Sequence, residues 1–165
     1  MTSPPAGGLS AHAIDVSLWG ESWLVGLPLI ALTVVVHVIG LGLIRAAFAN
    51  ALQNRARARR FPLYHFAMVM GVTVTLVTAL HAFEASIWAM ALYLIGAVPT
   101  PHLAMLYSIS AMTAYGHAQV YLARRWEMVG ALEALTGLML FGLTTAFLYG
   151  MIRQDWSERG ASGSG

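Results

Sequence analysis

Residues 104–119 of this chain read AMLYSISAMTAYGHAQ. This stretch lies between long apolar segments, and its first part predicts a short helix from about residue 102 to residue 113. Such a helix rises about 18 Å, whereas the hydrocarbon core of a bilayer is about 30 Å thick. Irregular backbone at membrane depth is tolerated only inside protein or beside a water-filled cavity. The stretch therefore predicts a re-entrant half-helix next to a pathway through a membrane.

The composition of the 165 residues is that of a membrane protein. Hydrophobic residues make up 58% of the chain and charged residues 10%, and the mean hydropathy is +0.69. One small soluble core cannot bury that much apolar surface. The basic residues are all Arg and are clustered, so nucleic acid is not predicted as a partner. Because the chain has no Cys, disulfides, thiolate metal sites and thiol catalysis are excluded.

Three segments are long enough to cross a bilayer, namely residues 23–49, 63–97 and 126–152. The Pro- and Gly-rich residues 1–22 are predicted to be flexible, residues 50–62 to form a basic loop, and residues 153–165 to form a tail. No signal peptide is expected, because the first twenty residues lack a basic stretch followed by a short apolar core.

The Arg residues predict the orientation of the chain in the membrane. Four of them follow the first span: Arg55, Arg57, Arg59 and Arg60. Loops rich in Arg stay on the cytoplasmic side, so this loop and the C-terminal tail are predicted to be cytoplasmic and the N-terminus to lie outside. Arg124 and Arg125, on the outer side in this arrangement, run against that rule.

Two Pro residues separate the second span from the half-helix. Pro99 and Pro101 prevent the span from continuing, while Thr100 and Pro101 suit the N-cap and the first helical position of a new helix. The C-terminal end of that helix would carry a partial negative charge, which favours a cation. This arrangement predicts an ion pore.

The same stretch resembles the pore helix and filter of tetrameric potassium-channel-type proteins, whose usual run is close to ALYFSLVTLTTVGYGD. Residues 126–152 are similar to the inner helix of small bacterial two-helix ion channels, and the segment around Glu84 and Trp88 is similar to their outer helix. Four residues coincide with the filter pattern and a fifth replaces its Phe: Ala104, Ser108, Thr113, Gly116 and, as the replacement, Tyr107.

The resemblance implies an all-α integral membrane protein with three transmembrane helices, one re-entrant pore half-helix and a filter loop, assembled as a homotetramer. Residues 63–152 would form the pore module. It implies that the protein has no catalytic residue, no metal site and no cofactor, and that its ligand is a permeant monovalent cation. The protein would be surrounded by lipid in a bacterial cytoplasmic (inner) membrane. The residues to which it assigns filter, support and hinge roles are Thr113, Ala114, Tyr115, Gly116, His117 and Ala118 for the filter, Ser108, Gln119, Glu84 and Trp88 for its support, and Gly137 and Gly142 for a gating hinge.

The filter departs from the family pattern. His117 takes the place of the family's Tyr, Ala118 of its second Gly, and Gln119 of its Asp. Ala at that position restricts the positive φ that a ladder of carbonyl oxygens needs, and loss of the Asp removes a charge behind the filter. We therefore expect a cation channel of altered or relaxed selectivity, with a non-conducting protein of the same fold as the alternative. A shifted register would restore the family's Tyr-Gly pair at Tyr115 and Gly116 but would lose the upstream matches.

The candidate residues also have simpler interpretations. Gly116 suits a turn, Tyr115 a membrane interface, and His117 a structural hydrogen bond. His81 and Glu84 share one helix face, where they would either pack the outer helix against the pore helix or bind an ion. The Gly residues of the third span would equally serve close helix packing.

Two other classes of protein are alternatives. His37, His65 and His81 lie in predicted spans, and neutral imidazole is a common haem ligand, so a membrane cytochrome is one alternative. Helical geometry weakens it: His65 and His81 point about 160° apart, and His37 and His81 are expected to differ in depth by about 9 Å. A membrane-embedded hydrolase is weaker still, because neither a GxSxG nor an HExxH motif is present.

Overall fold

A computed structural model describes residues 7–52, 62–113, 115–116 and 120–162 of the chain. Within these ranges 89% of the residues are helical and none belongs to a strand, which confirms the all-α prediction. The long helices are α1 (Gly7–Leu52), α2 (Pro62–Leu94) and α4 (Glu127–Ser162); the short helix α3 (Pro101–Met112) lies between α2 and α4, and a 3-10 turn, Arg124–Trp126, leads into α4.

In the part of the chain that the structure describes, three helices are long and apolar enough to cross a membrane, as the sequence predicts. The corresponding segments are Trp19–Asn50, Leu63–Leu94 and Arg124–Gln154, with mean hydropathies of 2.5, 1.9 and 1.7. Large apolar side chains point away from the protein on all three, for example those of Leu24, Leu63 and Phe141. Apolar surface on this scale suits contact with lipid, and helices satisfy their own backbone hydrogen bonds there.

The first and last helices extend beyond the predicted spans. α1 begins at Gly7, inside the segment predicted to be flexible, and α4 ends at Ser162, ten residues past the predicted limit of residue 152. After Gly7 the sequence contains no Pro until Pro28, so the Pro residues that lowered the helix prediction all precede the helix. Pro28 lies inside α1, where it removes one backbone hydrogen bond; packed membrane helices tolerate such a loss.

The chain divides into two compact units, and α1, α2 and α4 contribute to both. Unit 1 consists of Met1–Thr33 and Ala85–Gly137. Its apolar core includes Trp88 and Leu92 of α2, Tyr107 of α3 and Val129 of α4. The indole of Trp88 is fully buried and donates a hydrogen bond of 3.0 Å to the Thr33 hydroxyl. The short helix is therefore packed in one core with segments of all three long helices.

Unit 2 consists of Val34–Glu84 and Leu138–Gly165. Its apolar cluster contains Leu41 and Ile44 of α1 and Val77 of α2, with Phe147 of α4 packed against them. Beside this small cluster the unit buries several polar side chains, which is costly unless they are hydrogen-bonded. These are His37, Glu84, Thr73 and Thr144.

Candidate functional site

The start of the short helix α3 is fixed by its capping residues. α2 ends at Leu94, and after a turn Thr100 takes the N-cap position with extended backbone (φ −137°, ψ 150°). Its hydroxyl accepts a hydrogen bond of 3.3 Å from the backbone N–H of Leu103, and Pro101 occupies the first helical turn. The predicted cap and the predicted length of this short helix are both confirmed, because Pro and Thr at these positions act through local chemistry.

Two Gly residues of α4 bring that helix against α3. A Cβ atom placed on Gly130 would collide with the Tyr107 hydroxyl, and one placed on Gly137 would lie 2.5 Å from both the Cα atom and the carbonyl oxygen of Met112. The second contact is with backbone, which cannot rotate away as a side chain can. The last residue of α3 is thus seated directly on the α4 backbone, so Gly137 serves close packing.

The backbone becomes irregular where α3 ends. Thr113 is the C-cap, and its hydroxyl donates a hydrogen bond of 2.6 Å to the carbonyl of Ile109. Tyr115 follows with 84% of its surface exposed, and Gly116 has a φ of +87°, in the region that favours Gly. The remaining filter residues and one of the predicted support residues lie outside the described part of the chain: Ala114, His117 and Ala118 of the filter, and Gln119 of its support.

A buried carboxylate lies in unit 1 alongside α3. Glu133 of α4 and Ser108 of α3 are both fully buried and lie beside each other. Among the described residues, the Ser108 hydroxyl is near enough to act on the Glu133 carboxylate, but neither Glu133 oxygen nor that hydroxyl makes a hydrogen bond of standard geometry. The indole N–H of Trp126 has no hydrogen-bond partner there either. A buried carboxylate without a partner costs stability, so this pair is a functional candidate. Ser108 was predicted as filter support, whereas Glu133 was not in that set.

The remaining predicted support and hinge residues fall in different places. Trp88 shares the unit 1 core with α3, and Glu84 is bonded within unit 2. α4 passes through Gly142 as regular helix, and a Cβ atom there would meet no other atom within 4 Å. The support role of Glu84 and the hinge roles of Gly137 and Gly142 stay predictions.

Unit 2 contains a buried polar cluster, which consists of His37 on α1, His81 and Glu84 on α2, and Thr144 on α4. Nδ1 of His37 lies 2.9 Å from one carboxylate oxygen of Glu84, and Nδ1 of His81 lies 3.1 Å from the other. The Thr144 hydroxyl oxygen lies 3.3 Å from Nε2 of His37 and 3.1 Å from Nε2 of His81. The two imidazoles stack with centroids 5.2 Å apart and planes inclined by 27°.

This cluster both confirms and corrects the sequence predictions. His81 and Glu84 pair on one helix face as predicted, but the pair's described hydrogen bonds run to His37 and Thr144, and none of them runs to α3. The expected difference of about 9 Å in depth between His37 and His81 is wrong. That difference was counted from the predicted ends of the two spans, and α1 runs from Gly7 to Leu52 rather than from residue 23 to residue 49.

Sequence reasoning missed His37 and Thr144 as partners of this pair. The signal for His37 was present, since an ionisable residue inside an apolar span is expected to pair with another polar group. Thr144 carried no such signal, because Thr commonly bonds to a carbonyl of its own helix, as Thr33 and Thr136 do here.

No family model, curated protein or solved structure matches this chain. Its function must therefore be argued from the site itself. α3 ends in exposed irregular backbone, which is suited to line a pathway if further copies surround it, whereas the polar cluster of unit 2 is enclosed by three helices.

Proposed function

We propose that this chain is the subunit of a homotetrameric, potassium-channel-like cation channel with altered or relaxed selectivity. The observation that carries the proposal is the form of α3. This capped helix of 12 residues is too short to cross a bilayer, and its last residue packs on the α4 backbone. Exposed irregular backbone follows it.

The end of α3 has the chemistry of a cation site. The last carbonyl groups of a helix carry a partial negative charge, and residues 113–118 of the proposed filter follow directly. The positive φ of Gly116 supports the role of this residue in the filter, because a turn that aims successive carbonyl oxygens in one direction needs such backbone. Thr113 and Tyr115 are exposed, as residues on a central axis would be in a single subunit.

A single copy cannot enclose a pathway, so the proposal requires an assembly. α3 leaves Leu106 and Ile109 exposed, and α4 leaves Leu135, Leu138 and Met139 exposed. In a fourfold arrangement with α4 innermost, apolar faces on these two helices are available for neighbouring subunits, while α1 would lie on the periphery. The orientation predicted from the Arg cluster at residues 55–60 belongs to the same proposal.

Altered selectivity is proposed because the filter departs from the potassium-channel pattern at His117, Ala118 and Gln119. A protein that keeps the fold without conducting is the second candidate, and the same three residues favour it. A membrane cytochrome has less support: His37 and His81 stack on each other, and their nitrogens point at Glu84 and Thr144. Two axial haem ligands would instead hold iron between them.

We expect the purified protein to be a fourfold-symmetric oligomer in detergent or nanodiscs. The reason is that the exposed end of α3 encloses a pathway only when several copies surround one axis. Single-particle imaging measures the symmetry and the position of α4. A monomer, or an oligomer in which residues 113–116 face lipid, contradicts the pore proposal.

We expect Thr113→Val to change cation flux into liposomes at least about tenfold, a difference of about 1.4 kcal/mol in the barrier to permeation. Its hydroxyl lies at the proposed filter and donates to the Ile109 carbonyl. Potassium and sodium flux, measured with reconstituted protein, checks the effect.

Thr75→Val is the matched control for this variant. Thr75 is also exposed, and its hydroxyl also donates to the carbonyl four residues earlier, at 3.0 Å, but it lies in unit 2. Flux should be unchanged by this substitution. If both variants alter flux alike, the end of α3 is not the conducting site, and if the native protein carries no flux, the non-conducting alternative holds.

A further inference from the structure

The buried polar cluster of unit 2 carries an inference that is independent of conduction. We propose that His37, His81 and Glu84 bind one divalent transition-metal ion, with Thr144 orienting both imidazoles from the opposite side. One ligand atom from each of the three residues lies within 4.8 Å of the others.

The geometry fits a small metal ion. For metal–ligand bonds of about 2.0–2.1 Å, neighbouring ligand atoms of a tetrahedral site lie about 3.3–3.4 Å apart. Nδ1 of His37 lies 2.9 Å from one carboxylate oxygen of Glu84 and Nδ1 of His81 lies 3.1 Å from the other, so each of these two pairs needs to separate by only a few tenths of an ångström. The other distances within the set of three ligand atoms are at most 4.8 Å. Because the rings stack, both Nδ1 atoms face Glu84 and both Nε2 atoms face Thr144.

A count of hydrogen atoms shows why the cluster needs a cation. Its four contacts, two at Glu84 and two at Thr144, each require one hydrogen. With the carboxylate ionised and both rings neutral, each imidazole supplies one hydrogen and the Thr144 hydroxyl supplies one. Three hydrogens cannot fill four contacts, so two lone pairs would face each other inside the protein. A buried pair of that kind is costly.

A metal ion at the Nδ1 side removes this deficit. The two Nδ1 atoms and the carboxylate then bind the metal, and each ring carries its hydrogen on Nε2. The Thr144 oxygen has two lone pairs and accepts both N–H groups, while its own hydrogen is free to bond a helix carbonyl, as other Thr residues of this chain do. Metal-bound His residues usually have such an outer partner for the second ring nitrogen.

The ligand set indicates which metals suit the cluster. Two imidazoles and one carboxylate are ligands of zinc and of other first-row divalent metals, whereas magnesium and calcium prefer oxygen ligands. Three protein ligands leave one tetrahedral position for water. His37 and Glu84 are fully buried and the His81 side chain is 28% exposed, so the ligands are held by two helices, α1 and α2, rather than by a mobile surface.

The test uses the full-length, tag-free protein in detergent and zinc as the probe. We expect one zinc per chain in the native protein, by calorimetry and by elemental analysis after gel filtration, and no competition from a large excess of magnesium. His81→Gln and Glu84→Gln should weaken binding at least tenfold. His65→Gln is the matched control, because His65 lies on the same helix outside the cluster, and it should leave binding unchanged.

Two substitutions at Thr144 distinguish an orienting role of its hydroxyl from a general loss of structure. Thr144→Val should weaken zinc binding about 10- to 100-fold, and Thr144→Ser, which keeps the hydroxyl, should restore it. X-ray absorption of the zinc-loaded native protein should show two imidazole ligands, and this measurement needs no variant to fold. The inference is overturned if the native protein binds no zinc, if His65→Gln lowers binding as much as His81→Gln, or if the absorption spectrum lacks imidazole. If the native protein binds no zinc and the nitrogen NMR spectrum shows one charged imidazole, the cation of the cluster is a proton instead of a metal ion.

Discussion

Gly137→Ala is expected to lower the thermal stability of the protein, although Ala is the better helix former. A Cβ atom at this position would lie 2.5 Å from the Met112 Cα atom and carbonyl oxygen and 2.9 Å from its carbonyl carbon. The Ala side chain gains about 1 kcal/mol of helix propensity, but an overpacked contact costs about 1–3 kcal/mol or more. Because the opposing atoms are backbone, the overlap is relieved only by separating α3 from α4. Thermal unfolding of the purified protein checks the direction, and Gly137→Val should have the larger effect.

Gly142→Ala is the matched control for this prediction. It is the same change on the same helix, five residues further along, at a position where a Cβ atom would meet nothing within 4 Å. We expect unchanged or slightly higher stability, by up to about 1 kcal/mol, because only the helix propensity changes. Equal destabilisation by both substitutions would contradict the contact between Gly137 and Met112. Loss of flux in a stable Gly142→Ala variant would instead support the predicted hinge.

The parts of the fold that local chemistry determines could be predicted from the sequence. Thr100 and Pro101 define the start of α3 through side-chain and backbone rules that involve only neighbouring residues, and the structure has the cap at these residues. The three apolar helices follow from composition and length in the same way. The start of α1 at Gly7 was missed because the Pro content of residues 1–22 was averaged over the whole segment.

The contacts between helices could not be predicted in this way. The pairing of His81 with Glu84 follows from their spacing on one helix, but the approach of His37 depends on how far α1 is displaced along its axis relative to α2. Displacement along a helix axis is determined by packing, for example by Leu80 filling the space beside Gly40. The sequence around His37 does not indicate that displacement. Counting residues from the predicted ends of the spans therefore placed the rings of His37 and His81 at different depths.

Restoring the family pattern in the filter loop is expected to raise the preference for potassium over sodium about tenfold or more, which corresponds to about 1.4 kcal/mol. The changes are Tyr115→Val, His117→Tyr, Ala118→Gly and Gln119→Asp. Gly at position 118 makes positive φ accessible, so that the carbonyl oxygens can replace the hydration shell of the ion, and Asp restores a charge behind the filter. The ratio of potassium to sodium flux in proteoliposomes, compared with that of the native protein, is the measurement.

Tyr121→Val controls for the loss of an exposed Tyr in the same loop, since Tyr121 is 79% exposed and Tyr115 84%. It should leave the flux ratio unchanged.

The restored filter also needs packing support, because the positions of its carbonyl oxygens depend on the side chains packed behind them. Ser108 of α3 and Glu133 of α4 are buried beside each other and make no hydrogen bond of standard geometry in the described part of the chain, so they are available for that role. If the native protein already selects potassium strongly, the hypothesis fails: a filter with Ala at the second Gly position would then present its carbonyl oxygens to the ion, and the departures at His117, Ala118 and Gln119 would not determine selectivity.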